Sequence, residues 1–297
     1  MKNISITGYS GFIGKNILKS KFFENYTFHK INLRKNEKIN NESYSIIHLA
    51  GIAHDLTNNF NKKNYIDINY KLTRKVFKEF LKSKNKVFIF FSSIKTLGDN
   101  IDEKISEKLE AKPNTAYGYS KLKAEKYILK KTKKINKKRV YILRPSMIHG
   151  NTKKGNLYLL YKYIKNGLPW PFILFENKRS YLNIKNLNYI VNKLITNKNI
   201  PSGVYNVCDS EYLSTNEIIK IIKSETKTKN LNIYVPKIII KILFKFLDLL
   251  NSRYNTKMLN KIVGNCLVDN TKLLKALKTK LPYNSKNEMI KTIKNFK

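Results

Sequence analysis

The chain reads as an α/β protein, a parallel sheet wound by helices on both faces with a smaller lobe towards the C-terminus. Three observations point there. Glycines 8, 11 and 14 break a short β-branched run, Ile4-Ser5-Ile6-Thr7, into a turn and a helix start. The run at 87–91 is apolar throughout, as a strand covered on both faces should be, and it delivers Ser92 and Ser93 at its end. Strand-like and helical segments alternate to about residue 150, the pattern of a doubly wound sheet.

In chain order, Gly8 permits the sharp turn, Gly11 lets a ligand approach the backbone, and Gly14 lets the following helix pack on the strand. Unpaired N–H groups at that helix start favour an anion such as a pyrophosphate. A second strand is expected at 26–33. A carboxylate near its end would bind a ribose 2′-hydroxyl, but Asn32, Arg34 and Lys35 stand there, which suits a 2′-phosphate and hence NADP. Residues 45–51 form the next buried strand, ending in the small Ala50 and Gly51. Apolar residues at 65, 68, 72, 76 and 81 predict a helix over 64–82. A loop at 95–115 leads to Ala116-Tyr117-Gly118-Tyr119-Ser120-Lys121, which opens a helix to about 134, and residues 140–145 make a strand closed by Pro145. Beyond it, helices are expected at 155–165 and from Ser214, where Glu217 completes a capping box, with extended pieces at 179–184 and 204–207. The expected division is a dinucleotide-binding unit at 1–150 and a substrate lobe at 151–297, with segments near 180–208 returning to the first unit.

Composition narrows the function. The 297 residues carry 59 Lys and Arg against 20 Asp and Glu, a net charge of +39. The lysines are spread along nearly every predicted helix rather than gathered on one face, so no nucleic-acid partner is expected; an anionic small substrate would still be attracted. Cys208 and Cys266 are the only cysteines, too few for a disulfide framework and without metal-type spacing. No metal is expected, and a reducing cytoplasm is the expected compartment. The apolar run at 238–250 is interrupted by Lys241, Lys245 and Asp248, too short and too charged to span a bilayer. It reads either as a basic amphipathic helix lying on a membrane or as a helix packing its apolar stripe inside the small lobe, and the second is the expectation.

Three parts suit hydride transfer at a carbonyl or carbinol. They are the glycine turn, the serine pair on a sheet edge, and Tyr117 one helical turn from Lys121. A nearby ammonium favours phenolate and should bring Tyr117 down towards the working range. Ser93 would hydrogen-bond the substrate oxygen and hold it beside the phenol.

Joined together, these pieces closely resemble the extended short-chain dehydrogenase/reductase family, in its nucleotide-sugar epimerase and reductase branch, and the likeness runs nearly end to end. Thr7 to Gly14 resembles its Thr-Gly-x-x-Gly-Phe-Ile-Gly fingerprint, and His48-Leu49-Ala50-Gly51 its His-x-Ala-(Gly/Ala) strand end. Ser93, 24 residues before Tyr117, keeps the family's spacing to the Tyr117 and Lys121 pair. Asn69 matches an Asn of its Val-Asn-x-x-(Gly/Thr)-Thr helix, and Leu143-Arg144-Pro145 with His149-Gly150 its Arg-Pro…Tyr-Gly segment. The resemblance implies a Rossmann-type fold, catalysis by Ser93, Tyr117 and Lys121, and a homodimer formed through the helix that includes Lys121. It implies NADP or NAD held by Gly8, Ser10, Gly11, Phe12, Ile13, Gly14, Asn32, Arg34, Leu49, Ala50, Gly51, Asn69, Tyr117, Lys121 and Pro145.

Further signals imply a UDP-sugar. Asn156-Leu157 resembles the family's diphosphate contact, and Arg179-Ser180-Tyr181-Leu182-Asn183-Ile184 its Arg-(Asp/Ser)-Tyr-(Ile/Leu)-x-Val, so Arg179 would pair with the diphosphate. His54 could contact the hexose or be a loop histidine with no ligand. Ser92-Ser93-Ile94-Lys95 and Gly167-Leu168-Pro169-Trp170-Pro171 look most like reductases of UDP-4-keto-6-deoxy-N-acetylhexosamines that serve surface polysaccharide synthesis, which agrees with NADP. The alternative is a UDP-hexose 4-epimerase with tightly held NAD. The segment 35–45 is much shorter than the family's second-helix and third-strand region.

Overall fold

The computed structural model describes residues 2–52, 61–98, 103–133, 137–229, 233–250, 252 and 255–297. The first half runs β1 (Lys2–Thr7), α1 (Phe12–Leu18), β2 (Tyr26–Ile31), β3 (Ser45–His48), α2 (Lys62–Tyr65), a π-helical stretch (Ile66–Lys71), α3 (Leu72–Lys82), β4 (Val87–Phe91), α4 (Ala116–Thr132) and β5 (Arg139–Pro145). The second half adds β6 (Met147–His149), α5 (Asn156–Lys165), β7 (Arg179–Asn183), α6 (Ile184–Thr196), β8 (Gly203–Val207), β9 (Tyr212–Leu213), α7 (Thr215–Thr226), α8 (Lys237–Leu249), α9 (Thr256–Val263), α10 (Thr271–Leu277) and α11 (Ser285–Lys294).

Six strands form a parallel sheet in the order β2-β1-β3-β4-β5-β8, a Rossmann-like arrangement. Successive residues of the central strands serve opposite faces. Phe88, Phe90, Val140 and Ile142 pack under Val76, Phe77 and Phe80 of α3 and Ala124 and Ile128 of α4. Val87, Ile89, Tyr141 and Leu143 pack on the other face with Ile17 of α1 and Leu187, Ile190 and Leu194 of α6. Both faces are thereby dry, which is why the strands carry no polar alternation. The connection after β2 makes a single 3-10 turn (Leu33–Lys35) and passes directly to β3. That is the structural meaning of the short segment at 35–45: no strand is added outside β2, which is left as the sheet edge. The chain leaves β1 towards β2 and returns on its other side as β3. The order therefore reverses at the carboxyl ends of β1 and β3, where open α/β sheets place their ligands.

Strands β6, β7 and β9 make a second, three-stranded sheet. Helices α5, α7 and α11 share a core of Leu157, Tyr161, Ile218, Ile222, Met289 and Ile293. The capping box before α7 is present, with Ser214 Oγ accepting from Glu217 N–H at 3.0 Å and Glu217 Oε2 accepting from Ser214 N–H at 2.6 Å. Helix α8 departs from expectation. Its apolar stripe is not enclosed: Ile240 and Phe244 are its buried residues, seated with Leu259, Phe172 and Phe175, Leu247 is half-buried, and its other apolar side chains are exposed. Apolar residues occupy more of its circumference than the short α9 beside it can cover.

Candidate active site

The glycine turn is built by close approach. Gly8 has φ +69°, and a Cβ there would lie 2.7 Å from the Ala50 nitrogen; at Gly14 one would lie 2.6 Å from the Gly8 carbonyl oxygen. Gly11 N–H donates to the same carbonyl at 3.1 Å. Helix α1 begins at Phe12 with no side-chain cap and no acid in its first turn, leaving its N-terminal amides to an anion. Ser10 and Gly11 are exposed at the mouth of the turn, and Phe12 and Ile13 are half-buried.

Behind this turn lies a hydrogen-bond relay that sequence reading missed. Thr73 Oγ1 donates to the Asn69 carbonyl at 2.7 Å, so it must accept from His48 Nε2–H at 2.9 Å. His48 Nδ1 then accepts from the Thr7 hydroxyl at 2.7 Å, and Thr7 Oγ1 accepts from Ala50 N–H at 3.2 Å. Burial, with the Lys121 charge adding to it, pushes His48 down to about 3, so it is a neutral strut. It holds the end of β3 and Leu49, Ala50 and Gly51 against β1. Asn69 is wholly buried; its Nδ2 donates to the Ile52 carbonyl and to Ser120 Oγ, both at 3.0 Å, and its Oδ1 accepts from Ile52 N–H at 2.8 Å. With these groups engaged, Asn69 positions the Gly51-Ile52 backbone and α4. A Cβ at Gly51 would lie 2.7 Å from Asn69 Oδ1 and 3.2 Å from Lys121 Nζ, so a side chain there would press on the Asn69 amide and the Lys121 ammonium.

Ser93, Tyr117 and Lys121 come together where β4 ends against α4. Gly118 makes this possible, since a Cβ there would run into the Lys95 carbonyl. The Tyr117 side chain lies beside Ser93, and its ring stands edge-on to Tyr65 with centroids 6.2 Å apart. Its acidity departs from the sequence expectation: burial raises the phenol above its ordinary value of 10.0, the neighbouring Ser93 hydroxyl lowers it less, and Tyr65 raises it further. The Lys121 ammonium is aimed elsewhere, donating to the Phe91 carbonyl at 2.8 Å and lying 4.9 Å from the Phe90 ring centre. Burial pushes Lys121 down to about 8 while Glu125 pulls it up. Glu125, one turn further along α4, is a second omission of sequence reading. It accepts from Ser92 Oγ and takes the Arg144 guanidinium as a fork, at 2.6 Å from Nη2 and 3.0 Å from Nε. This buried network clamps β4, α4 and β5 around the serine pair, and Pro145 follows it, buried at the end of β5.

The remaining expected residues lie on other elements. Asn32 accepts from Arg34 N–H at 3.1 Å, and Arg34 itself is exposed. A carboxylate does stand at the end of β2: Glu37 Oε2 accepts from Asn32 N–H at 2.6 Å. Asn156 is exposed at the start of α5. Arg179 Nη1 donates to the carbonyls of Lys261 and Gly264, at 2.9 and 3.2 Å, which ties β7 to the end of α9. His54 lies outside the described residues. Among the described residues no group of histidine, cysteine, aspartate and glutamate could hold a metal ion.

Comparison with known proteins agrees with this geometry. The chain is 29% identical over 244 residues to a UDP-glucose 4-epimerase of Vibrio cholerae, covering 74% of each. It is 30% identical over 176 residues to the N-acetyl-α-D-glucosaminyl-diphospho-ditrans,octacis-undecaprenol 4-epimerase of Escherichia coli O157:H7, covering 58% of this chain and 52% of that one. In fold it is similar to a UDP-glucose 4-epimerase from Thermotoga maritima solved with UDP-glucose, with TM-score 0.74 and 19% identity over 99% of this chain and 98% of that one. It is likewise similar to RMD from Pseudomonas aeruginosa complexed with NADPH, with TM-score 0.73 and 17% identity over 100% and 99%. Residues 4–208, from the first strand through the last strand of the large sheet, match the model of the NAD dependent epimerase/dehydratase family, and the chain belongs to that family.

Proposed function

We propose that the protein is a nucleotide-sugar 4-epimerase that keeps NAD bound through its cycle. The carrying observation is Tyr117 set beside Ser93 at the end of β4, one turn from Lys121 on α4, together with a glycine turn packed so tightly on the ends of β1 and β3 that a Cβ at Gly8 or Gly14 would strike backbone. The turn fits a dinucleotide, with Gly8, Ser10, Gly11, Phe12, Ile13 and Gly14 along the pyrophosphate and Leu49, Ala50, Gly51 and Pro145 along the remainder. Bound NAD would supply the hydride acceptor and donor at the sugar's C4, and its positive charge would counter the burial that raises Tyr117. Tyr117 takes the proton of the C4 hydroxyl and returns it to the other epimer, Ser93 orients that oxygen, and Lys121 holds the nicotinamide-side ribose.

Two things favour the epimerase over the 4-keto-sugar reductase. Both sequence relatives are 4-epimerases, and Glu37 stands where the adenosine ribose would lie. A carboxylate there accepts from a 2′-hydroxyl and repels a 2′-phosphate, so Glu37 outweighs Arg34 and favours NAD over NADP.

A second substrate reading is a sugar diphosphate carried on a lipid, as named for the Escherichia coli relative. It is favoured by Arg179, the expected diphosphate contact, being tied to α9, which packs under the exposed α8. The test is to incubate purified protein with UDP-glucose, UDP-N-acetylglucosamine or a polyprenyl-diphospho-N-acetylglucosamine and follow C4 inversion. Inversion without net NADH release, lost in Tyr117→Phe, is expected. Stoichiometric NADPH oxidation by a UDP-4-keto sugar, with no inversion, would establish the reductase instead.

A further inference from the structure

Helix α8 presents an apolar face that the fold leaves open. At about 100° per residue, Ile238, Ile239, Ile242, Leu243, Phe246 and Leu249 sweep an arc of roughly 140° away from the buried seam of Ile240 and Phe244. These six side chains are 51 to 79% exposed. An apolar patch of this extent on one helix marks an interaction surface. The exposed Lys237, Lys241 and Lys245 lie side by side along one border of the arc. The only acid of the helix, Asp248, is exposed in the same row as these lysines, one turn beyond Lys245, and its Oδ1 accepts from Thr256 N–H at 3.0 Å.

Charge selects the occupant. A second copy of this chain would set lysine against lysine on a molecule already at +39. An anionic bilayer takes the apolar arc into its headgroup–acyl boundary and the lysines at phosphate level. Thirteen residues make a helix of about 20 Å, short of a ~30 Å hydrocarbon core, and no helix among the described residues is long and apolar enough to cross a membrane. We propose that α8 docks the protein on an anionic membrane surface, lying in the headgroup plane. The docking does not depend on which sugar is epimerised.

Flotation of the full chain with large unilamellar vesicles tests this. Wild-type protein should float with phosphatidylglycerol–phosphatidylethanolamine vesicles and remain behind with phosphatidylcholine alone. The double variant Ile242→Asp, Phe246→Asp should lose at least about tenfold in bound fraction with an unchanged thermal midpoint. The triple variant Lys237→Glu, Lys241→Glu, Lys245→Glu should lose the preference for anionic lipid. Wild-type protein that stays unbound, or variants that float equally well, would overturn the proposal. So would a concentration-dependent dimer in lipid-free sedimentation that the double variant abolishes, since the face would then belong to a second copy.

Discussion

Burial raises the Tyr117 phenol, so the fold by itself keeps this side chain in the neutral form. Tyr117→Phe should lower kcat by about 10²- to 10⁴-fold with little change in thermal midpoint, as read in the C4-inversion assay. The spacing to Lys121 was legible because four residues always make one helical turn. The direction of the phenol's shift was not, because it depends on what buries the ring and on where the Lys121 ammonium points. His48 carries the clearest dependence on pH. Its folded value near 3 lies below the unfolded value near 6.5, so only the unfolded chain takes up this proton between them. The contribution is complete above about 6.5 and falls as pH drops towards 3, by up to about 1.4 kcal/mol per pH unit. Urea melts of wild type and His48→Asn between pH 7 and 4 should show the variant losing stability less steeply. Glu37 makes the matching prediction for cofactor choice. Glu37→Gln should narrow the preference for NAD over NADP by about tenfold, a difference of ~1.4 kcal/mol, as measured by titrating each dinucleotide.

The elements around the site are joined by buried charge. Glu125 of α4 is paired with Arg144 of β5 and also holds Ser92 at the end of β4. Removing one partner leaves an uncompensated buried charge, so Glu125→Leu and Arg144→Leu should each cost about 3–5 kcal/mol, while the double variant should cost much less than their sum. Denaturant midpoints of the four proteins complete the cycle. The same scale explains Asn69. A regular helical period covers 64–82 in the sequence, but Ile66–Lys71 is π-helical, and Asn69 within it spans from Ile52 to Ser120. A period of apolar residues places a helix; it does not report a local widening whose reason is a polar side chain meeting another segment's backbone.

At the scale of the molecule, the excess of lysine is a field more than a set of contacts. Substrate diphosphates are anionic, so kcat/KM for a soluble nucleotide sugar should fall several-fold as ionic strength rises from about 0.02 to 0.3 M. The kcat itself should change little. Stopped-flow or initial-rate series over salt would show this, and a rate indifferent to salt would restrict the charge to a surface role such as the one argued for α8. The sheet order belongs to this scale as well. With β2 at the edge and the order reversing beside it, the turn at Gly8 and the end of β4 lie at the same, carboxyl edge of the sheet.

Local chemistry was enough for the glycine turn, the dry strands, the Tyr117–Lys121 pair and the Ser214–Glu217 capping box, because each depends on residue type at a short, fixed spacing. The fold alone decided that Glu37 returns to the end of β2, that His48 and Glu125 brace the ends of β3 and β4, that Arg179 is tied to α9, and that α8 faces outwards. Each of these depends on which distant segment lies alongside, and on how much apolar surface that neighbour can cover. Spacing along a chain does not carry that information; packing does.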